Sequence, residues 1–352
     1  MDATGQPPHW RFEAPRLLRN GHLMTLAGTF WLRQFPDLPA SESRLLEVEP
    51  ETRLRLDCHW QPERAARPAL VLVHGLEGSS ESRYMLGTAE KAWRAGFSVV
   101  RQNVRNCGGT EHLTPTLYHS GLSGDIAAIV QHLLQDERLT EIHIAGFSMG
   151  GNQVLKLAGE WSAAAAPAVA SFAAVCPSLD LAACADALDL PSNFLYQRRF
   201  TSSLKRRLLR KARLFPDRYH TDGLGDVRSV RQFDDRFTAP HSGFGTADNY
   251  YAQASARPHL ARIARPTLII AAADDPFIPI ASFREPAIET NPHITLLTPA
   301  HGGHVGFVSR HTDFEDRFWA ENRVVEFCRA HSRLGGSRSE GVGRGSAGLT
   351  TG

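Results

Sequence analysis

Between residues 68 and 177 the sequence repeats one pattern, a short apolar run followed by an amphipathic stretch. The runs are PALVLVHG (68–75), FSVVRQNV (97–104), EIHIAGF (141–147) and SFAAVCP (171–177). The stretches between them, SRYMLGTAEKAWRAG (82–96), GLSGDIAAIVQHLLQDE (121–137) and GNQVLKLAGEW (151–161), have helical spacing. In the second, Ile126, Ile129, Val130, Leu133 and Leu134 share one face. Continuous apolar strands alternating with helices predict a mostly parallel central sheet, buried by helices on both faces, and hence an α/β fold.

The pattern also sets the organisation around it. RLLEVEPETRLRLDCHW (44–60) alternates apolar and polar residues on both sides of a turn and reads as a β-hairpin. From 178 to 265 there is no β-run, only an Arg-rich, mainly helical or irregular segment. Strands resume at PTLIIAAAD (266–274) and HITLLTP (293–299), with a short helix near 281–289 and a last helix over roughly 314–330. The expected division is therefore an irregular, proline-bearing N-terminal arm (1–43), a core made of 44–177 and 266–331, a cap inserted at 178–265, and a Gly/Ser-rich disordered tail (332–352).

Lys plus Arg number 39 and Asp plus Glu 37, a net charge of +2, which argues against a nucleic-acid partner. The five cysteines are scattered and lack CxxC spacing, so neither a disulfide framework nor a zinc site is expected. The start has no basic segment leading into an apolar run, and no apolar stretch reaches about 18 residues. A cytoplasmic location follows as the expectation.

Gly146-Phe147-Ser148-Met149-Gly150 lies where a strand gives way to a helix. That context marks a nucleophile elbow, in which a sharp turn projects the serine hydroxyl above the sheet. Gly146 and Gly150 supply the missing side chains such a turn demands. A serine needs a base, and the base an orienting acid, in the chain order Ser, acid, His. Asp274 and Asp275 both end the resumed strand; Asp275 is preferred as the acid for its spacing to Pro279. Of His301 and His304, the latter follows Gly302-Gly303 and is preferred as the base. The oxyanion donors expected are the backbone N–H groups of Met149 and Leu76, with Gly75 giving room and His74 bracing the loop. No HExxH or comparable spacing points to a metal, and no cofactor is implied.

With these residues the chain resembles an α/β-hydrolase. Asn106-Cys107-Gly108-Gly109-Thr110, Leu117-Tyr118-His119-Ser120-Gly121, Phe233-Asp234-Asp235 with Thr238-Ala239-Pro240, and Gly302 to Phe307 resemble its YheT-type branch. Arg19-Asn20-Gly21-His22 resembles that branch's N-terminal Asn-Pro-His segment, with Gly21 in place of proline. The resemblance implies an α/β-hydrolase fold and a serine hydrolase of carboxylic esters. Relatives of this kind act on lipids or on medium-chain fatty acid ethyl esters, so a small-molecule or lipid ester is the expected partner.

Two segments admit more than one use. In TSSLKRRLLRKARLFPDR (201–218), Leu204, Leu208, Ala212 and Phe215 form a stripe ringed by Lys and Arg. The stripe fits a helix packed on the core, which is preferred, or a peripheral membrane contact. Asp234 and Asp235 precede the resumed strand and are rejected as the acid. Acyl transfer to an alcohol at the same site, a silent binding protein, and a cofactor-free perhydrolase or lyase are the competing readings; oligomeric state is left open.

Overall fold

The structure, a computed structural model, describes residues 10–312 and 314–336. Its centre is one eight-stranded sheet. In chain order the strands are β1 (Glu42–Glu49), β2 (Thr52–His59), β3 (Ala69–Val73), β4 (Ser98–Gln102), β5 (Ile142–Phe147), β6 (Val169–Val175), β7 (Thr267–Ile270) and β8 (Ile294–Leu297). Across the sheet they run β1-β2-β4-β3-β5-β6-β7-β8. The six from β4 to β8 are parallel; β2 pairs antiparallel with β4 and with β1, the expected hairpin. Every residue of β3, β4 and β5 is buried, as continuous apolar runs require, whereas edge strand β1 alternates exposed and half-buried residues.

Helices α2 (Arg83–Arg94) and α11 (Trp319–Ala330) cover one face through Met85, Ala89, Val324 and Phe327. Helices α3 (Ser123–Gln135) and α4 (Met149–Trp161) cover the other through Ile126, Ile129, Val154 and Leu155. From β3 the chain crosses to β4 on one side and then to β5 on the other. Such a reversal of strand order opens a crevice at the carboxyl ends of the strands.

Several stretches differ from expectation. The N-terminal arm is not irregular throughout: α1 (Gly21–Phe30) forms where prolines are absent, between Pro15 and Pro36, and Asn20 caps it by accepting the Leu23 N–H at 3.1 Å. The last core helix starts at Trp319 instead of near Phe314, because 314–318 is a bent, non-helical stretch, with Phe318 bridging Val308 and its N–H held by Asp316.

Between β6 and β7 the chain leaves the sheet. It forms α5 (Leu181–Leu188), α6 (Phe194–Leu214), α7 (Val230–Phe233), a π-helical turn (Asp234–Thr238), α8 (Ala239–His241) and α9 (Ala247–Ala254). Between β7 and β8 the expected helix is a 3₁₀ turn (Ile280–Phe283) followed by α10 (Pro286–Glu289). The segment expected to be disordered from 332 instead opens with α12 (Arg333–Gly336), tied to the core where the Arg333 N–H donates to Glu141 Oε2 at 3.2 Å; the rest of the expected tail lies outside the described residues. Among the described residues no helix is long and apolar enough to cross a membrane.

Candidate active site

Ser148 sits between β5 and α4 with φ +54 and ψ −119, a region that costs a non-glycine residue free energy. The surroundings hold it there. Its N–H donates to Val175 O at 2.8 Å, and its carbonyl accepts the Asn152 N–H at 3.0 Å as α4 begins. The flanking glycines are required by contact: a Cβ on Gly150 would lie 2.4 Å from Val73 O, and one on Gly146 2.3 Å from Gly150 O.

The hydroxyl meets a continuous hydrogen-bond chain. Ser148 Oγ is 2.9 Å from His304 Nε2, and His304 Nδ1 is 2.8 Å from Asp275 Oδ2. With Nδ1–H donating to the carboxylate, Nε2 is the acceptor for the serine proton. Asp275 is itself pinned, since Oδ1 accepts the N–H groups of Phe277 at 3.1 Å and Ile278 at 3.0 Å. The Phe277 ring lies 4.1 Å from the imidazole, centroid to centroid. The neighbouring acid has other partners: Asp274 accepts the Gly303 N–H at 2.9 Å and faces His301 Nδ1 at 3.3 Å.

One contributor escaped the sequence reading. The His304 N–H donates to Thr25 Oγ1 of α1 at 2.8 Å, and Thr25 in turn donates to Gly21 O at 2.7 Å. Gly303, at φ +57, lets the loop lie on α1; a Cβ there would come within 2.5 Å of Gly21 O. Uninterrupted helix-compatible residues after Asn20 were the available signal.

On the other side of Ser148 runs the loop after β3. A Cβ on Gly75 would be 3.0 Å from Ser148 Cβ, so the loop touches the serine. Gly78 N–H closes a turn onto Gly75 O at 3.0 Å. His74 is fully buried; Nδ1 bonds Gly75 O at 2.8 Å and Nε2 accepts the Val104 N–H at 3.1 Å. Burial drives its pKa down to about 4, so it stays neutral near pH 7. Leu76 and Met149 both line the cavity beside Ser148. Met149 is the first residue of α4, where helix N–H groups have no partner within the helix.

Cys176 lies beneath the site, with Sγ accepting the Val305 N–H at 3.4 Å. Its thiol, Asp275 and His304 offer ligand atoms within 4.8 Å of one another. Burial holds the thiol protonated, well above its ordinary range, and the other two groups already bond each other. The trio suits a hydrogen-bonded support better than a metal site.

The cavity opening at Ser148 has a volume of about 880 Å³, its mouth included. Its walls are mostly apolar: Leu181 and Leu188 of α5, Leu204 and Leu208 of α6, Phe233 and Ile278. The stripe foreseen in 201–218 is thus turned inward at Leu204 and Leu208. Asp234 is also in the wall, away from His304's acid position, and accepts a hydrogen bond from Tyr251 Oη at 2.8 Å. Burial raises its pKa to about 6. Apolar walls around a nucleophile suit a hydrocarbon chain attached to a reactive carbonyl.

Residues 68–310 match the family described as alpha/beta hydrolase fold. YheT of Escherichia coli (strain K12), whose name assigns it provisionally to the esterases, is 32% identical over 89% of this chain and 91% of its own. Phospholipase ABHD3 of Mus musculus is 31% identical over 70% of this chain, but only 60% of that longer protein is spanned. Among solved structures, the Pyrococcus furiosus esterase Pf2001 superposes with a TM-score of 0.54 over 85% of this chain and 96% of that one, at 16% identity, a likeness of fold.

Proposed function

Because this chain belongs to the alpha/beta hydrolase fold family, in its YheT-type branch, we propose that it is a carboxylic ester hydrolase working through an acyl-enzyme on Ser148. The observation that carries this reading is the unbroken Ser148–His304–Asp275 hydrogen-bond chain at the mouth of an apolar cavity. The esterase and phospholipase names of the relatives support the same class.

In this mechanism His304 Nε2 takes the Ser148 proton as Oγ attacks the ester carbon. The carbonyl oxygen becomes an oxyanion facing the N–H groups of Leu76 and Met149, beside the N-terminus of α4. His304 passes its proton to the leaving alcohol and the acyl-enzyme forms. Water, deprotonated by His304, attacks the acyl carbon; Ser148 recovers its proton and the acid departs. Asp275 holds the imidazole in the tautomer that accepts from Ser148 and stabilises its charged form. The apolar cavity favours short- to medium-chain acyl esters or acyl lipids. No resident cofactor enters the scheme.

A series of p-nitrophenyl esters of increasing chain length, assayed on the native chain and on Ser148→Ala, tests this. The native chain should show an optimum in chain length, and Ser148→Ala a loss on the order of 10⁴-fold or more in kcat. Ser148→Ala retaining native activity would overturn the reading.

A further inference from the structure

The turn Gly75–Gly78 carries a non-glycine residue, Glu77, at φ +57. Side chains rarely tolerate that conformation, and it persists where contacts over-determine it. The contacts here converge on the Glu77 carboxylate. Arg207 donates from Nε at 2.8 Å and from Nη2 at 3.1 Å, a forked ion pair. Tyr118 Oη donates at 2.7 Å, and Ser203 Oγ donates to the second oxygen. Burial alone would raise the Glu77 pKa, but the Arg207 guanidinium and the two hydroxyls hold it below the usual carboxylate range.

Arg207 is not an isolated anchor. Ser203, Arg207, Arg210 and Lys211 follow i, i+4, i+7, i+8 spacing on α6 and so share a face. Arg210 Nε donates to Glu111 Oε1 at 2.7 Å, and Lys211 Nζ to the carbonyls of Glu111, at 3.1 Å, and Thr114. The adjoining stripe of the same helix, Leu204 and Leu208, walls the cavity. One helix therefore touches both the substrate space and the residue next to Leu76.

We propose that Arg207 is a positioning residue: by clamping Glu77 it fixes the turn that aims the Leu76 N–H, so that α6 completes the oxyanion site. The proposal rests on the ester-hydrolase reading above. A buried ion pair is a poor source of net stability, because desolvation cancels much of the attraction. Its selective value here is in fixing one geometry.

That difference supplies the test. The paired variant Glu77→Gln/Arg207→Met removes both charges; the Gln carbonyl still accepts from one of the two hydroxyls, and its NH2 can donate to the other. Three readouts are measured: Tm, kcat on the best p-nitrophenyl ester, and inhibition by two ketones of matching chain length. A trifluoromethyl ketone adds Ser148 Oγ to its carbonyl carbon, the serine proton moving to His304, and so probes the oxyanion site. The methyl ketone probes the cavity alone. With Tm near native, kcat should fall about tenfold or more, and the trifluoromethyl ketone should weaken by a similar factor. The methyl ketone, which reports only the change that Arg207→Met makes in the cavity it lines, should weaken less than the trifluoromethyl ketone. Native kcat and an unchanged ketone ratio would overturn the proposal, as would equal weakening of both ketones. If the paired variant does not fold, Arg207→Lys, which keeps the charge and loses the fork, should lower the same ratio; a native ratio overturns the proposal. Failure of the hydrolase reading looks different: the native chain would show no Ser148-dependent reaction with a fluorophosphonate.

Discussion

Asp274 and Asp275 are chain neighbours whose side chains serve different partners. Asp275 faces His304 Nδ1 and is braced by two backbone N–H groups, while Asp274 ties the loop that delivers that histidine. Replacing Asp275 by Asn would keep the shape and present an amide where the proposed mechanism calls for a carboxylate. The expected outcome is a fall in kcat of about 10³- to 10⁴-fold with KM little changed, measured on a p-nitrophenyl ester. A modest loss would remove Asp275 from its proposed part. That Asp275 and His304 meet was legible from the spacing to Pro279 and from Gly302-Gly303, because both signals are local. Thr25 was not, because its bond to the His304 N–H joins residues 279 positions apart and uses an ordinary helix threonine.

At the scale of elements, α6 combines two functions on adjoining faces. Leu208 is fully buried and walls the cavity, so a larger side chain there would take space from the acyl group. Leu208→Trp is expected to shift the p-nitrophenyl ester optimum to shorter chains while activity on the acetate ester persists. An unshifted optimum would place the acyl chain elsewhere. The sequence showed the stripe of Leu204 and Leu208 by its period, and the strands by their uninterrupted apolar runs. It did not show that Arg207 and Lys211 are buried, since periodicity ranks them with solvent-facing charges. Their partners, Glu77 and Glu111, come from loops after β3 and β4, and only the sheet order brings those loops to α6. The same holds for α1, where prolines on either side masked a good helical segment.

For the molecule as a whole, acid sensitivity follows from buried imidazoles. Burial lowers His59, His74 and His119 to about 4 each from an ordinary 6.5. Between those values the unfolded chain binds protons that the folded chain refuses, so stability rises with pH there and is lost as pH falls from 6.5 toward 4. Asp234, raised to about 6, and Asp125, also raised by burial, work in the opposite sense, but burial lowers His143, His241 and His259 as well, so the imidazoles outnumber them. The unfolding temperature should therefore drop steeply below pH 6.5, with net proton uptake on unfolding seen by calorimetry in buffers of different ionisation heat. A flat profile from pH 7 to 4 would contradict the burial of these histidines.

The seat of His304 on α1 bears on how this protein can be cut. The family match begins at residue 68, yet the helix that accepts the His304 N–H and packs on Gly303 spans 21–30. A fragment trimmed to residue 31 should retain its β-sheet signal by circular dichroism but react slowly with a fluorophosphonate at Ser148. Adding a synthetic peptide of residues 10–31 in trans should restore the rate in a saturable way. The family's common segment thus stops short of a helix that holds the His304 loop, and complementation by that peptide would measure what that helix contributes.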